Sequence, residues 1–140
     1  MRVGWAIPCR YVEVTNGLAT IVGAGSNIFW VPEFPAVVDL MMAVQILGGE
    51  EEIGHEYEIR GHVLGPDMQP VAPGMTGQFA FGESAALKPD GWEETAIVPI
   101  GMQFPAEVEG PYTWEFAIGD RSTTVSLLVQ QSEDEDDDED

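Results

Sequence analysis

The stretch GPYTWEFAIGDRSTTVSLLV, residues 110–129, decides the fold class. Tyr112, Trp114 and Phe116 alternate with Thr113 and Glu115 along it. A period of two is typical of a strand with one buried and one solvated face. The stretch therefore predicts a β-hairpin, and we interpret Tyr112, Trp114 and Phe116 as structural core residues rather than as chemical groups of a site.

The register of this hairpin is predicted from its turn. If Ile118 pairs with Thr123, then Phe116 faces Val125 and the apolar residues of both strands share one face, whereas a slip by one residue would turn that set outward. Gly-x-Tyr at residues 110–112 looks like the tyrosine corner of immunoglobulin-like sandwiches, in which the phenol bonds back to upstream backbone. The alternative interpretation of this tyrosine is an ordinary aromatic residue at the edge of the core.

A second hairpin is predicted around Asn16-Gly17, because these residues accept the positive φ values of a type I′ turn. Pairing of Thr15 with Leu18 places Val12 and its apolar neighbours on one face. Residues 55–64 show the same alternation, with apolar residues on one side and charged residues on the other.

Residues 37–47 are ambiguous, since they alternate as a strand does but contain good helix formers. We interpret them as a strand because strands surround them and no N-cap residue immediately precedes them. About eight short strands, turn signals between them and no substantial helix predict an all-β protein, an antiparallel, immunoglobulin-like β-sandwich. The predicted organisation is one domain over residues 1–131 followed by a disordered acidic tail over residues 132–140.

Charge is the unusual property of this sequence. Eight of the 25 acids lie in the last eight positions, which leaves 17 acids against five basic residues and a net charge of −12 for residues 1–132. The five basic residues are scattered, so direct binding to nucleic acid phosphates is excluded. The acidic charge would attract a basic protein partner or, alternatively, would serve only to keep the protein in solution.

The acidic tail is predicted to be disordered because like charges repel. We predict that, if it acts at all, it contacts a basic partner, the residues concerned being Glu133, Asp134, Glu135, Asp136, Asp137, Asp138, Glu139 and Asp140. It lacks the glycine turn and the spacing of a calcium loop.

Several catalytic motifs fail on their geometry. The GAGSNI segment at residues 23–28 lacks the third glycine of a dinucleotide fingerprint and precedes FWVP instead of a helix. Cys9 has no local base, and we interpret it as a small buried hydrophobe. Glu56 and Glu58 share a strand face but are unremarkable in so acidic a chain.

A metal site is also not predicted. His55 and His62 lie seven residues apart, so on one strand they point to opposite faces and cannot hold one zinc ion together. No cofactor is predicted. The apolar stretch at residues 36–49 contains Asp39 and is shorter than the roughly 20 residues that a bilayer span needs, so no membrane is predicted and a cytoplasmic location follows by default.

Five features taken in order resemble a family of small uncharacterised bacterial and phage-associated proteins: Cys9, the run at 14–23, Phe-Pro-Ala at 34–36, the Pro-Asp turn at 66–67 and the aromatic run at 110–118. The resemblance covers most of residues 3–129 and implies a β-sandwich module without an assigned activity. The acidic tail departs from it, as does Asp120-Arg121, where such hairpins more often have Asp-Gly.

The sequence therefore predicts a non-enzymatic protein-interaction or structural accessory module of a bacterial or phage system, with edge strands as its contact surface. Two alternatives stay open. One is an acidic mimic of nucleic acid that inhibits a basic protein. The other is a carbohydrate-binding sandwich that uses surface aromatic residues such as Trp30 or Trp92, although both residues are interpreted equally well as core residues.

Overall fold

The computed structural model describes residues 1–83 and 86–133. In these ranges the chain forms ten β-strands, and the helical structure is limited to one 3₁₀ turn at Glu50–Glu52. The strands are β1 (Arg2–Cys9), β2 (Tyr11–Thr15), β3 (Leu18–Val22), β4 (Ile28–Val31), β5 (Ala36–Gly48), β6 (Tyr57–Leu64), β7 (Met75–Phe79), β8 (Glu94–Ala106), β9 (Gly110–Ile118) and β10 (Arg121–Gln131).

The strands form two sheets and a separate hairpin. The first sheet has the order β1-β5-β8, the second has the order β4-β10-β9-β6-β7, and β2 pairs with β3 alone. The immunoglobulin-like topology expected from the sequence stays a prediction. The predicted all-β class is confirmed, with ten strands instead of about eight and with one parallel pair, β4 beside β10.

The core lies between the two sheets and is built from alternating residues of their strands. Val38, Leu40, Met42, Val44 and Ile46 of β5 are buried against the aromatic residues of β9. Tyr112, Trp114 and Phe116 are also buried in this central cluster. The indole of Trp114 stacks on the ring of Phe116, with a centroid distance of 5.4 Å and an interplanar angle of 16°.

Residues 37–47 lie in β5, which is a strand of 13 residues. β5 is paired on both sides, with β1 and with β8. Hydrogen bonding to two neighbours outweighs the high helix propensity of its Leu, Met and Ala residues, because propensity is a small term beside tertiary pairing. The interpretation as a strand is confirmed.

The predicted register of the last hairpin is wrong by two residues. Ile118 pairs with Arg121, and Phe116 faces Thr123. The turn residues are Gly119 and Asp120, and φ at Gly119 is +58°. A positive φ at a glycine in the first central position is typical of a type II′ turn. Because the error is an even number of residues, the same side chains stay buried.

Asn16 and Gly17, with φ of +53° and +76°, close the first hairpin with Thr15 opposite Leu18, as predicted.

The last strand ends at Gln131. Residues 134–140 of the predicted acidic tail lie outside the described residues, so the division into a sandwich and a disordered tail stays a prediction. Within the described ranges, no helix has the length and apolar character needed to cross a membrane.

Tyr112 has the geometry of a tyrosine corner, at the start of β9 and after β8. Its buried hydroxyl donates a hydrogen bond to the carbonyl oxygen of Val108 at 2.7 Å. We expect Tyr112→Phe to lower the free energy of unfolding by about 1 kcal/mol, the net value of one such bond. Urea denaturation with an unchanged m-value would measure this loss.

The matched control is Tyr11→Phe. The hydroxyl of Tyr11 donates to Glu13 Oε1, also at 2.7 Å, but both residues are exposed. Water replaces an exposed bond at little cost, so this variant should keep the wild-type stability. Equal losses in both variants would contradict a structural role for the Tyr112 bond.

Candidate functional site

The polar residues considered for catalysis do not converge. His55 precedes β6 and is exposed, whereas His62 lies on β6, with its Nε2 2.8 Å from Glu115 Oε1 on β9. In residues 1–83 and 86–133 there is no group of three or more His, Cys, Asp or Glu side chains that could hold a metal ion. The pair of His62 and Glu115 is a cross-strand contact between directly opposite residues.

Cys9 ends β1 and is partly buried. Its Sγ lies 3.8 Å from the carbonyl oxygen of Met41. Burial raises the pKa of the Cys9 thiol, and this outweighs the opposing effect of a backbone hydrogen bond from Tyr11. A raised pKa disfavours the thiolate, which is the reactive form.

The GAGSNI segment connects β3 to β4. Gly23 and Gly25 have φ of +67° and +112°. The N–H of Gly25 donates to the carbonyl oxygen of Pro8 at 3.1 Å, which returns the chain from the hairpin to the end of β1. The segment leads into a strand, so it is a bend and offers no helix N-terminus to a phosphate group.

An open cleft of about 730 Å³ lies at the end of the sandwich where β5 ends and β8 begins. Three of the five Lys and Arg residues line it, but Arg2 is paired with Glu93 at 3.1 Å and Lys88 is paired with Glu94. Trp92 lies at its rim and is exposed. These ion pairs satisfy two of the three basic side chains internally, so the cleft has little net attraction for an anionic ligand.

Exposed apolar side chains are concentrated near the start of the chain. Twelve large apolar side chains are exposed in the described residues, and eight of them lie between residues 5 and 37. They belong to β1, to the β2–β3 hairpin, to β4 and to the start of β5. We call them the N-terminal apolar set: Trp5, Tyr11, Val14, Leu18, Val22, Ile28, Trp30 and Val37.

The β2–β3 hairpin carries apolar residues on both faces. On one face Val12 is only 4% exposed, although it lies outside the central cluster, and β2 contacts β5 and β8, so this face lies against the first sheet. On the other face Tyr11 lies directly opposite Val22, and Leu18 is 75% exposed. A hairpin packed on one side needs apolar residues on that side alone. Tyr11, Leu18 and Val22, on the other face, therefore have no role in packing the hairpin onto the first sheet.

β4 is an edge strand of the second sheet, next to β10. Val31 belongs to the central cluster and Phe29 packs against it. Ile28 and Trp30 point to the opposite side of the sheet, where Trp30 is 60% exposed. The three other sheet edges differ. β1 contains Pro8 and a register irregularity between Val3 and Trp5, and β8 contains two prolines.

Prolines and bulges are devices that keep edge strands from pairing with other chains. β7 has neither, but its exposed side chains are the polar Thr76 and Gln78. β4 therefore differs from the other edges, because it combines a proline-free backbone with exposed apolar side chains.

Sequence reasoning singled out Trp30 as an aromatic residue for sugar binding and missed the hairpin residues Tyr11, Leu18 and Val22. A signal for them existed in the sequence. Both faces of the predicted hairpin carry apolar residues, whereas a hairpin packed on one side needs them on only one face. Trp92 lies at the cleft rim and Trp30 on β4, so the structure does not bring these two tryptophans into one site. Of the predicted contacts in the tail, Glu133 is exposed, and the other seven lie outside the described residues.

Comparison with known proteins places the chain in a family without an assigned role. The model of a family described as "Family of unknown function (DUF6941)" matches residues 4–130, so the chain belongs to this family. No curated protein and no solved structure matches the chain. The resemblance to an uncharacterised family is confirmed in this respect, and the bacterial or phage setting stays a prediction.

Proposed function

We propose that this member of the DUF6941 family is a non-enzymatic module that binds a basic protein through the β2–β3 hairpin and β4. The observation that carries the proposal is the N-terminal apolar set, eight of the twelve large apolar side chains that are exposed in the described residues. Isolated exposed apolar residues are ordinary in a folded protein, but five members of this set lie on the exposed sides of the two elements proposed for contact: Tyr11, Leu18, Val22, Ile28 and Trp30.

The residue types of this set support protein contact. Trp and Tyr are enriched among the residues that dominate binding energy in protein interfaces. Tyr11 is 50% exposed and its hydroxyl donates to Glu13 Oε1 at 2.7 Å, so the ring offers a partner apolar area beside a polar group.

The charge of the chain supports a basic partner. Residues 1–132 carry a net charge of −12, and no Lys or Arg occurs between Arg10 and Arg60, the segment that contains the hairpin and β4. Complementary charge accelerates encounter, and like charge suppresses wrong partners, including a second copy of this chain. An accessory role in the cytoplasm of a bacterium or in a phage system is part of the proposal.

Photo-crosslinking tests the proposal. A photoreactive residue at position 18 on the hairpin should capture a partner from the native lysate, whereas the same residue at position 78 on β7 should not. The captured protein is then purified and its affinity measured. We expect Leu18→Ser and Tyr11→Ser to weaken binding at least tenfold and Gln78→Ser to leave it unchanged. A partner that binds both hairpin variants normally would contradict the proposal.

The net charge of −20 also supports a second candidate, an acidic mimic that occupies the nucleic acid site of a basic protein. This candidate predicts that a nucleic acid competes with the chain for the partner and that binding falls steeply between low and physiological salt. Competition together with unchanged affinity of the hairpin variants would favour the mimic over the module. Turnover of any substrate that is lost when one carboxylate is replaced would contradict both.

A further inference from the structure

The parallel pairing of β4 with β10 fixes which backbone groups of β4 are used. Ile28 lies beside Leu128 and Trp30 beside Gln130. The carbonyl oxygens of Asn27 and Val31 accept hydrogen bonds from the N–H groups of Leu128 and Ser132, both at 2.8 Å. Residues 27, 29 and 31 therefore direct their backbone groups to β10, because alternate residues of a strand bond to opposite neighbours.

The backbone groups of Ile28 and Trp30 consequently point to the free edge of the second sheet. The N–H of Ile28 donates to the Ser26 hydroxyl at 3.3 Å. The carbonyl oxygen of Ile28 and both backbone groups of Trp30 have no protein partner among the described residues. Three unused groups in succession are what an added strand bonds to.

The side chains beside this edge are suited to an added strand. Ile28 and Trp30 are exposed on the outer side of the second sheet. Their exposed surfaces lie where the side chains of a neighbouring strand would pack, since directly opposite residues on adjacent strands are about 4.5–5.5 Å apart. Pro32 follows β4 immediately and limits the added strand to a few residues.

We propose that the basic partner supplies an extended segment that pairs with the free edge of β4 as a sixth strand of the second sheet. This inference rests on the proposed function and names how the partner is held: by backbone hydrogen bonds to Ile28 and Trp30 and by an apolar side chain against the Trp30 indole. The segment alternates basic and apolar residues.

The charge of the chain favours a basic partner segment at this edge over a second copy of the chain. The 49 residues from 11 to 59 contain no Lys or Arg, and Glu33, two residues after β4, is exposed. Pairing of β4 with β4 from another copy would bring together two chains of net charge −20. A lysine-containing strand is attracted to the same edge.

A pair of substitutions separates the backbone from the side chain. Trp30→Val and Trp30→Pro both remove the indole, but only proline removes the N–H at position 30 and places its ring at the free edge. The N–H of residue 30 is not part of the β4–β10 ladder, so the proline variant keeps that pairing. Thermal unfolding of the full chain checks that both variants fold.

The probe is a capped heptapeptide of alternating lysine and valine, with a control peptide of the same sequence that is N-methylated at alternate residues. Amide hydrogen exchange of the ¹⁵N-labelled full chain should show at least tenfold protection of the Trp30 N–H with the first peptide and none with the second. Trp30→Val should bind the first peptide within about tenfold of wild type, whereas Trp30→Pro should show no saturable binding.

Three results would overturn the inference: equal binding of the two peptides, equal binding by the valine and proline variants, or no binding of the first peptide. Dimerisation of the chain that Trp30→Pro abolishes would replace the partner strand by a second copy and would also overturn it. The proposed function is tested separately, because crosslinking from position 18 would persist if only strand addition failed and would be absent if the hairpin bound nothing.

Discussion

Replacement of Trp114 by alanine is expected to lower the free energy of unfolding by about 3–5 kcal/mol, the range for a large aromatic residue removed from a core. Trp114 is 0% exposed and lies in the central cluster between the two sheets. Its removal leaves a cavity beside Phe116, on which it stacks at a centroid distance of 5.4 Å. Urea denaturation followed by circular dichroism measures the loss.

The indole nitrogen of Trp114 modifies this expectation. Among the described residues, the buried Nε1–H has no hydrogen bond partner, which makes the native indole less favourable than its size suggests. Trp114→Phe removes this group and keeps most of the ring, so it should cost less than about 1.5 kcal/mol. A phenylalanine variant as unstable as the alanine variant would contradict this explanation.

Trp30→Ala is the matched control. Trp30 is 60% exposed on an edge strand, so its removal should change stability by no more than about 0.5 kcal/mol. Similar losses at positions 30 and 114 would contradict the assignment of Trp30 to the surface and of Trp114 to the core.

Much of the fold could be predicted because its signals are local. The alternation along residues 112–118 places one face of β9 in the core, and it does so whatever the partner strand is. Asn16-Gly17 specifies its own turn, so the register of the first hairpin followed directly from two residues. In the last hairpin, the predicted turn is centred on Asp120-Arg121, whereas the chain turns at Gly119-Asp120, which displaces the register by two residues.

β1 and the second half of β8 have no clear local signal, whereas residues 95–100 of β8 were predicted as a strand. β1 contains Gly4 and Pro8, and β8 contains Pro99 and Pro105, residues that normally end a strand. They are tolerated because both strands lie at edges of the first sheet, where a missing N–H costs no ladder bond. Edge position depends on the order of the whole sheet, so it could not be inferred from these segments alone.

The candidate site shows the same limit. The sequence indicated edge strands as a contact surface, but it did not show whether Trp30 is exposed or buried, and nothing local joins this residue to a sheet edge. β4 is an edge only because Asn27 meets Leu128, about one hundred residues further along the chain. Likewise, the hairpin sequence shows apolar residues on both faces. It does not show which face packs on the first sheet.

Replacement of Val12 by aspartate is expected to release the hairpin while leaving the sandwich folded. Val12 is 4% exposed and lies outside the central cluster, on the face of the hairpin that contacts the first sheet. A carboxylate there would replace a buried apolar side chain, and its desolvation costs more than the packing of a hairpin stabilises. An isolated two-stranded hairpin is marginal in water, so it should open once undocked.

Hydrogen exchange measures this opening. We expect the amides of β2 and β3 to exchange about a hundredfold faster in Val12→Asp, while protected amides of β5 and β9 change little, because the two units have separate buried contacts. Val14→Asp is the control, since Val14 lies on the same face but is 37% exposed, and it should leave exchange near the wild-type rate. If the hairpin is the binding element, Val12→Asp should also weaken partner binding more than Val14→Asp does, because the partner would have to order the hairpin before using it. Unchanged exchange in β2 and β3 would mean that contacts other than Val12 hold the hairpin against the sheet.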